Sequence, residues 1–233
     1  MKKSLIILVI IAFAFQSCEK EDDLISQNCE ADCTEIVGKL MTDDGTTPIT
    51  NQKITVVWDN TSLGFGTVRT KATARTDSNG DFSISFFMRD DELESGIHRM
   101  RFDRLNENKF LRSDLNGMPS IPSVRDTLVV RNHNVVKKAF VNLTLLNLDN
   151  IQGSDRLWTN FEYPRPSGFS QSIDGNIRGW TNEFDSNQLL ETAGNQPVVI
   201  EIVRKINDIT TRENDTLFID AGTTLDYTVD FNN

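Results

Sequence analysis

The chain has 233 residues, 34 acidic against 24 basic side chains, a formal charge of −10, and 38% apolar residues. That composition excludes wholesale disorder and collagen-like repetition, and the length allows one large domain or two of about 100 residues. The acidity argues against a nucleic-acid partner, because neutralising phosphates takes clustered Lys and Arg. At the N-terminus, Lys2 and Lys3 precede eleven uninterrupted apolar residues, Leu5 to Phe15. A membrane-spanning helix needs roughly 20 such residues, so residues 1–17 have signal-peptide dimensions.

Next come Phe15-Gln16-Ser17-Cys18 and then Glu19-Lys20-Glu21-Asp22-Asp23. An apolar stretch ending in small or polar residues and Cys resembles the lipobox of bacterial lipoproteins, although Phe15 stands where Leu is usual. The resemblance implies cleavage before Cys18, a diacylglycerol on its thiol and acylation of the new amino terminus. Acyl chains, at about 0.8 kcal/mol per buried methylene, would then make the membrane the first partner. Cys18-Glu19-Lys20-Glu21-Asp22 resembles the export signal of surface-exposed lipoproteins in Bacteroidetes. It implies that Lys20, Glu21 and Asp22 send the protein to the outer face of the outer membrane. Read without the resemblance, they form a solvated acidic tether. Loss of the leader removes Lys2 and Lys3 and no acid, so the mature chain is more acidic still.

Residues 18–33 read as a lipidated tether. Cys29 and Cys33 remain beyond Cys18 and are expected to form a small disulfide in an oxidising compartment, against two free thiols. Such a short loop contributes roughly 2 kcal/mol by chain entropy. A zinc site would need two further ligands at sensible spacing, and none follow.

From Thr34 onward the hydrophobic period is two. Ile54, Val56 and Trp58 alternate with Lys53, Thr55 and Val57, and Phe82, Ile84, Phe86 and Met88 share a face. So do Ala139, Val141, Leu143 and Leu145, then Val198, Ile200 and Ile202, then Leu225, Tyr227, Val229 and Phe231. Asp43-Asp44-Gly45, Asp174-Gly175-Asn176 and Ala221-Gly222 mark turns, and Asn79-Gly80 reads as a hairpin. No long helical stripe appears; the best short candidate is Asn187 to Ala193. The expected class is all-β, with two tandem antiparallel sandwiches of prealbumin or immunoglobulin type.

Gly38-Lys39-Leu40, Gly45, Pro48-Ile49, Lys53-Ile54-Thr55-Val56 and Thr76-Asp77-Ser78-Asn79-Gly80-Asp81-Phe82 resemble the carboxypeptidase regulatory-like family. Its members are non-catalytic prealbumin-like sandwiches, which implies a first domain over 34–137. Residues 138–233 suffice for a second sandwich, and a single larger domain is the alternative.

Catalytic and cofactor signatures are missing. Asp77, Asn79 and Asp81 faintly resemble a calcium loop, but Phe82 and Met88 stand where Gly and Glu are required. No Gly-x-Ser-x-Gly elbow or phosphate loop occurs. His98 and His133 read as surface residues, and Asp90-Asp91-Glu92 as a solvated turn. No catalytic residue, metal or cofactor is expected. Asp126-Thr127-Leu128 and Asp215-Thr216-Leu217 resemble acceptors for O-glycosylation in Bacteroidetes.

Trp158, Phe161, Tyr163, Phe169, Trp180 and Phe184 crowd one short stretch. They either fill a second core or, through Trp158, Tyr163 and Trp180, offer faces to a glycan or a protein partner. Alternation puts Trp158 with Asn160 and Glu162, and Trp180 with Arg178 and Asn182, on outer faces. The reading is a surface-anchored, non-enzymatic binding or structural lipoprotein. The alternative is an adhesin or fimbrial-type subunit that assembles by strand pairing, with the C-terminal strand as the exchanging element.

Overall fold

The computed structural model describes residues 19–62, 65–103, 105–111, 120–171 and 173–233. Cys18 and the expected leader, residues 1–17, lie outside them. The described residues are almost wholly β. The tether is ordered: β1 (Glu19–Asp22) runs parallel to β5 (Thr67–Arg75), and a single helical turn, α1 (Leu24–Gln27), follows.

In the first half, β1, β5, β4 (Lys53–Asp59) and β7 (Ile97–Phe102) form one sheet. Opposite it, β2 (Thr34–Thr42) carries β6 (Asp81–Phe86), β3 (Thr47–Pro48), β8 (Thr127–Val130) and β9 (His133–Asn134). Ile36, Phe82, Ile84, Phe86 and Val129 from this sheet meet Ile54, Val56, Ala72 and Met100 from the other. Each fully buried aliphatic or aromatic side chain stabilises by about 1.5–3 kcal/mol.

The second half repeats the plan. β10 (Lys137–Leu146) lies between β14 (Asn187–Gly194) and β17 (Thr224–Asp230). The facing sheet runs β13 (Gly175–Trp180), β11 (Arg156–Glu162), β15 (Pro197–Ile206), β16 (Ile209–Phe218). The stripe Ala139, Val141, Leu143, Leu145 is wholly buried against Leu157, Phe161, Val198, Ile200 and Ile202. In both halves the opening strand pairs in parallel with the closing one, β2 with β8 and β9, and β10 with β17. The sheets holding β1, β2 and β10 are therefore mixed, while β13-β11-β15-β16 is antiparallel throughout.

Two local expectations are corrected. Asn79-Gly80 does form a tight turn, with Gly80 at φ +78° and Asp77 Oδ1 accepting from the Asn79 and Asp81 amides at 2.8 and 2.9 Å. Yet β5 and β6 lie in opposing sheets, so the turn crosses the sandwich and is no hairpin. The Gly80 carbonyl accepts from Leu40 N at 2.8 Å, which docks the turn on β2. Residues 187–193, the best helical candidate, are strand, because β10 supplies a partner along their whole length.

The halves meet through polar groups. β12 (Ser170–Gln171) pairs with β9, and the buried Asn134 donates to Gln171 Oε1 at 2.8 Å while accepting from Gly45 N at 3.1 Å. Asp43 accepts from Lys137 at 2.7 Å and from Asn195 at 2.8 Å.

Gly38 lies where β2 passes closest to the chain linking β8 and β9. A Cβ there would fall inside the van der Waals radius of the Arg131 carbonyl oxygen. Gly38→Ala is expected to lower stability in urea by about 1–3 kcal/mol, the usual cost of overpacking. Gly179→Ala, which would touch only the Trp158 ring at 3.5 Å, is the near-neutral control.

Candidate functional site

The described residues hold one cluster of fully buried opposite charges, and it lies where the tether meets the first sandwich. It begins with a bulge. Val56 faces Ala72 and Val57 faces Thr70, so Lys71 has no residue opposite it on β4. An extra residue of this kind re-aims its side chain. Lys71 and Ala72 are consequently buried in succession, where strict alternation would expose one of them.

Lys71 Nζ donates to Asp23 Oδ2 and to Glu92 Oε2, both at 2.6 Å, and all three side chains are 0% exposed. Asp23 also caps α1, accepting from Ser26 N at 3.2 Å, while Ser26 Oγ donates to Phe87 O at 2.6 Å. The Arg89 guanidinium grips both Asp23 oxygens, Nε to Oδ2 at 3.0 Å and Nη2 to Oδ1 at 2.8 Å. Glu92 belongs to α2 (Asp90–Glu94), accepts from Arg89 N at 2.9 Å and lies 3.2 Å from Arg69 Nη1. His98 Nε2 is 3.8 Å from Glu92 Oε2.

Burial pushes both carboxyls up, but their partners outweigh it. Arg89 and Lys71 hold Asp23 down at about 2. His98, Lys71 and the Arg89 amide hold Glu92 at about 2. Charge is matched: Lys71, Arg69 and Arg89 face Asp23, Glu92 and Asp91. A buried ion needs this kind of pairing, since unpaired it loses its hydration without return.

The other singled-out residues are dispersed. Lys20, Glu21 and Asp22 fall on β1, with Asp22 exposed. Cys29 and Cys33 are joined by a disulfide just before β2. Trp158 is half-buried on the outer face of β11, over Gly179. Tyr163 and Trp180 are 2% and 3% exposed and cannot offer open ring faces. Trp180 turns inward at the end of β13, beside Leu157, with its indole N–H donating to Thr159 Oγ1 at 3.0 Å. Both rings therefore serve the second core, which corrects the contact assignment for them.

The surface reading of the histidines is also corrected. His98 shares the inner face of β7 with Met100, and His133 lies in the junction beside Ser170 Oγ at 3.0 Å. Burial lowers His133 to about 4, so it is neutral at physiological pH. Asp90-Asp91-Glu92 is not a solvated turn throughout, because Glu92 turns inward to Lys71.

A cleft of about 460 Å³ opens beside Tyr163, Ile173, Asn176, Arg178, Leu189 and Glu191. No group of three or more His, Cys, Asp or Glu suited to a metal occurs among the described residues, and no described helix is long and apolar enough to cross a membrane.

No protein-family model matches the chain, and no curated protein does. Among solved structures, the Bacillus anthracis TIE protein aligns at TM-score 0.34 and 10% identity, over 85% of this chain and 34% of its own. A streptococcal ancillary pilin aligns at 0.33 and 11%, over 86% and 63%. The shaft pilin SpaA of Lactobacillus rhamnosus GG aligns at 0.32 and 10%, over 85% and 97%. The chain thus spans about a third of the first protein and under two thirds of the second. Scores this low add nothing to the fold, which rests on the sheets described above, and say nothing of function.

Lys71→Met leaves two buried carboxylates without the ammonium they share and is expected to cost about 3–5 kcal/mol in urea denaturation. Glu92, held below its ordinary value, contributes stability that is complete above about pH 5 and is lost as pH falls through 2. Urea midpoints measured across that window should fall less steeply in Glu92→Gln than in the parent.

Proposed function

We propose that the chain is a lipid-anchored, non-catalytic structural module of a bacterial outer membrane, facing the cell surface. One observation carries the reading: the buried charges grip the segment that follows Cys18. Asp23, a few residues beyond the lipidation cysteine, is locked to β5 and to Arg89. A protein held by its N-terminus needs that segment joined firmly to its body. An enzyme needs charged groups that substrate can reach, and Lys71, Asp23 and Glu92 are sealed off.

The Lys20-Glu21-Asp22 export signal and the carboxypeptidase regulatory-like resemblance of the first half belong to this reading, as do the boundaries 34–137 and 138–233. Glycan or protein contact narrows to Trp158, the one ring of the three that is half-buried and not buried. In fractionated cells the parent should lie in the outer membrane and be shaved by protease from intact cells. Cys18→Ser should be neither membrane-bound nor shaved. Retention of Cys18→Ser in the membrane would remove the anchor from the reading.

A second reading, assembly by strand pairing, is favoured by β8. It pairs with β2 alone among the described strands, and Leu128 and Val130 on it are 60% and 58% exposed. An apolar edge is a template for another strand. Light scattering should then show oligomers that grow with concentration and vanish in Leu128→Lys/Val130→Lys. A parent that stays monomeric at high concentration excludes it.

A further inference from the structure

We propose that Lys71 and Asp23 condense into an intramolecular amide, with Glu92 relaying the proton. An ammonium and a carboxylate in contact are the two reactants of an amide. In water the ion pair persists because both charges are hydrated. Here Lys71 and Asp23 touch at 2.6 Å with both side chains 0% exposed, so that hydration is gone and the neutral product suffers least from burial. Fixed contact between reacting groups is equivalent to effective concentrations of roughly 10⁵–10⁸ M.

The neighbours divide the work. Arg89 donates to both Asp23 oxygens, drawing electron density from Cγ and standing ready to stabilise the oxyanion formed when Nζ adds. Glu92 Oε2, 2.6 Å from Nζ, takes a proton from the ammonium and frees the lone pair for attack. The Nζ–Cγ bond forms and the Cγ–Oδ2 bond breaks. Two of the three ammonium protons leave with that oxygen as water, one of them by way of Glu92, which ends unchanged. No oxidant or outside reactant is consumed.

Asp23 is the partner, and Glu92 the relay, because the guanidinium clamps both oxygens of Asp23 alone. The product keeps the charges balanced, two guanidiniums (Arg69 and Arg89) against two carboxylates (Asp91 and Glu92), with Arg69 in contact with both. Register favours the same pair. β1 and β5 run in parallel with Asp22 opposite Thr70, and Asp23 N donates to Thr70 O at 3.0 Å, so the next residues along are Asp23 and Lys71.

The test is peptide mass spectrometry of the purified full chain after denaturation, reduction, alkylation and trypsin. The expected product is one branched peptide of residues 21–39 and 70–75, lighter than their sum by one water and uncut at Lys71. Fragmentation should place the link on Asp23. Separate, full-mass peptides from the folded parent overturn the proposal, and so does a link to Asp22 or Glu92. Lys71→Arg should give only separate peptides. Glu92→Gln, shown folded by circular dichroism, should lose the link, and a fully linked Glu92→Gln would overturn the relay. Parent refolded from urea inclusion bodies supplies the measurement that needs no variant: the link should be missing from the unfolded chain and appear on refolding.

Discussion

A lysine withdrawn from water has to find negative charge nearby, and that requirement organises the first half of this protein. Lys71 is satisfied only if the tether, β5 and the short helix before β7 all converge on it, since Asp23 and Glu92 come from the two flanking segments. Arg89 and Arg69 then follow, because two carboxylates against one ammonium would leave a net buried charge. The ordered β1 and the capped turn of α1 belong to the same set, for both place the Asp23 carboxylate. A segment that composition alone describes as an acidic leash becomes part of the domain.

Much of the framework was legible in the sequence. Residues 139, 141, 143 and 145, or 198, 200 and 202, alternate so strictly that face and burial follow from period two alone. The charge cluster was not legible. A lysine in a strand reads as an outward residue, and the bulge that turns Lys71 inward is a property of its pairing with β4, which no local pattern records. One trace existed, in that Asp23 precedes Ser26 at N-cap spacing. Trp180 failed for a related reason. It ends β13, where Gly175 and Gly179 weaken alternation as a guide, and Thr159 offers its indole a buried acceptor. At Asn79-Gly80 the dipeptide specified the turn correctly, but a turn does not determine whether its strands pair or part.

The junction obeys a different chemistry. Asn134, Gln171 and His133 are buried and neutral, and they join the halves through amide and imidazole groups where the cores on either side use aliphatics and rings. Directional bonds of this type fix a register that greasy contact alone leaves loose. Asp43 adds a charged link to Lys137 and also accepts from Asn195.

The parallel closure of each half has a mechanical consequence. Where opening and closing strands lie side by side and run the same way, the chain enters a unit at one end and leaves it at the other. A force drawn between those ends slides β2 along β8, and β10 along β17, so the hydrogen bonds of each ladder are loaded together. An antiparallel closure would instead peel open one bond at a time. Traction between the two ends of such a unit therefore meets it in its stronger direction.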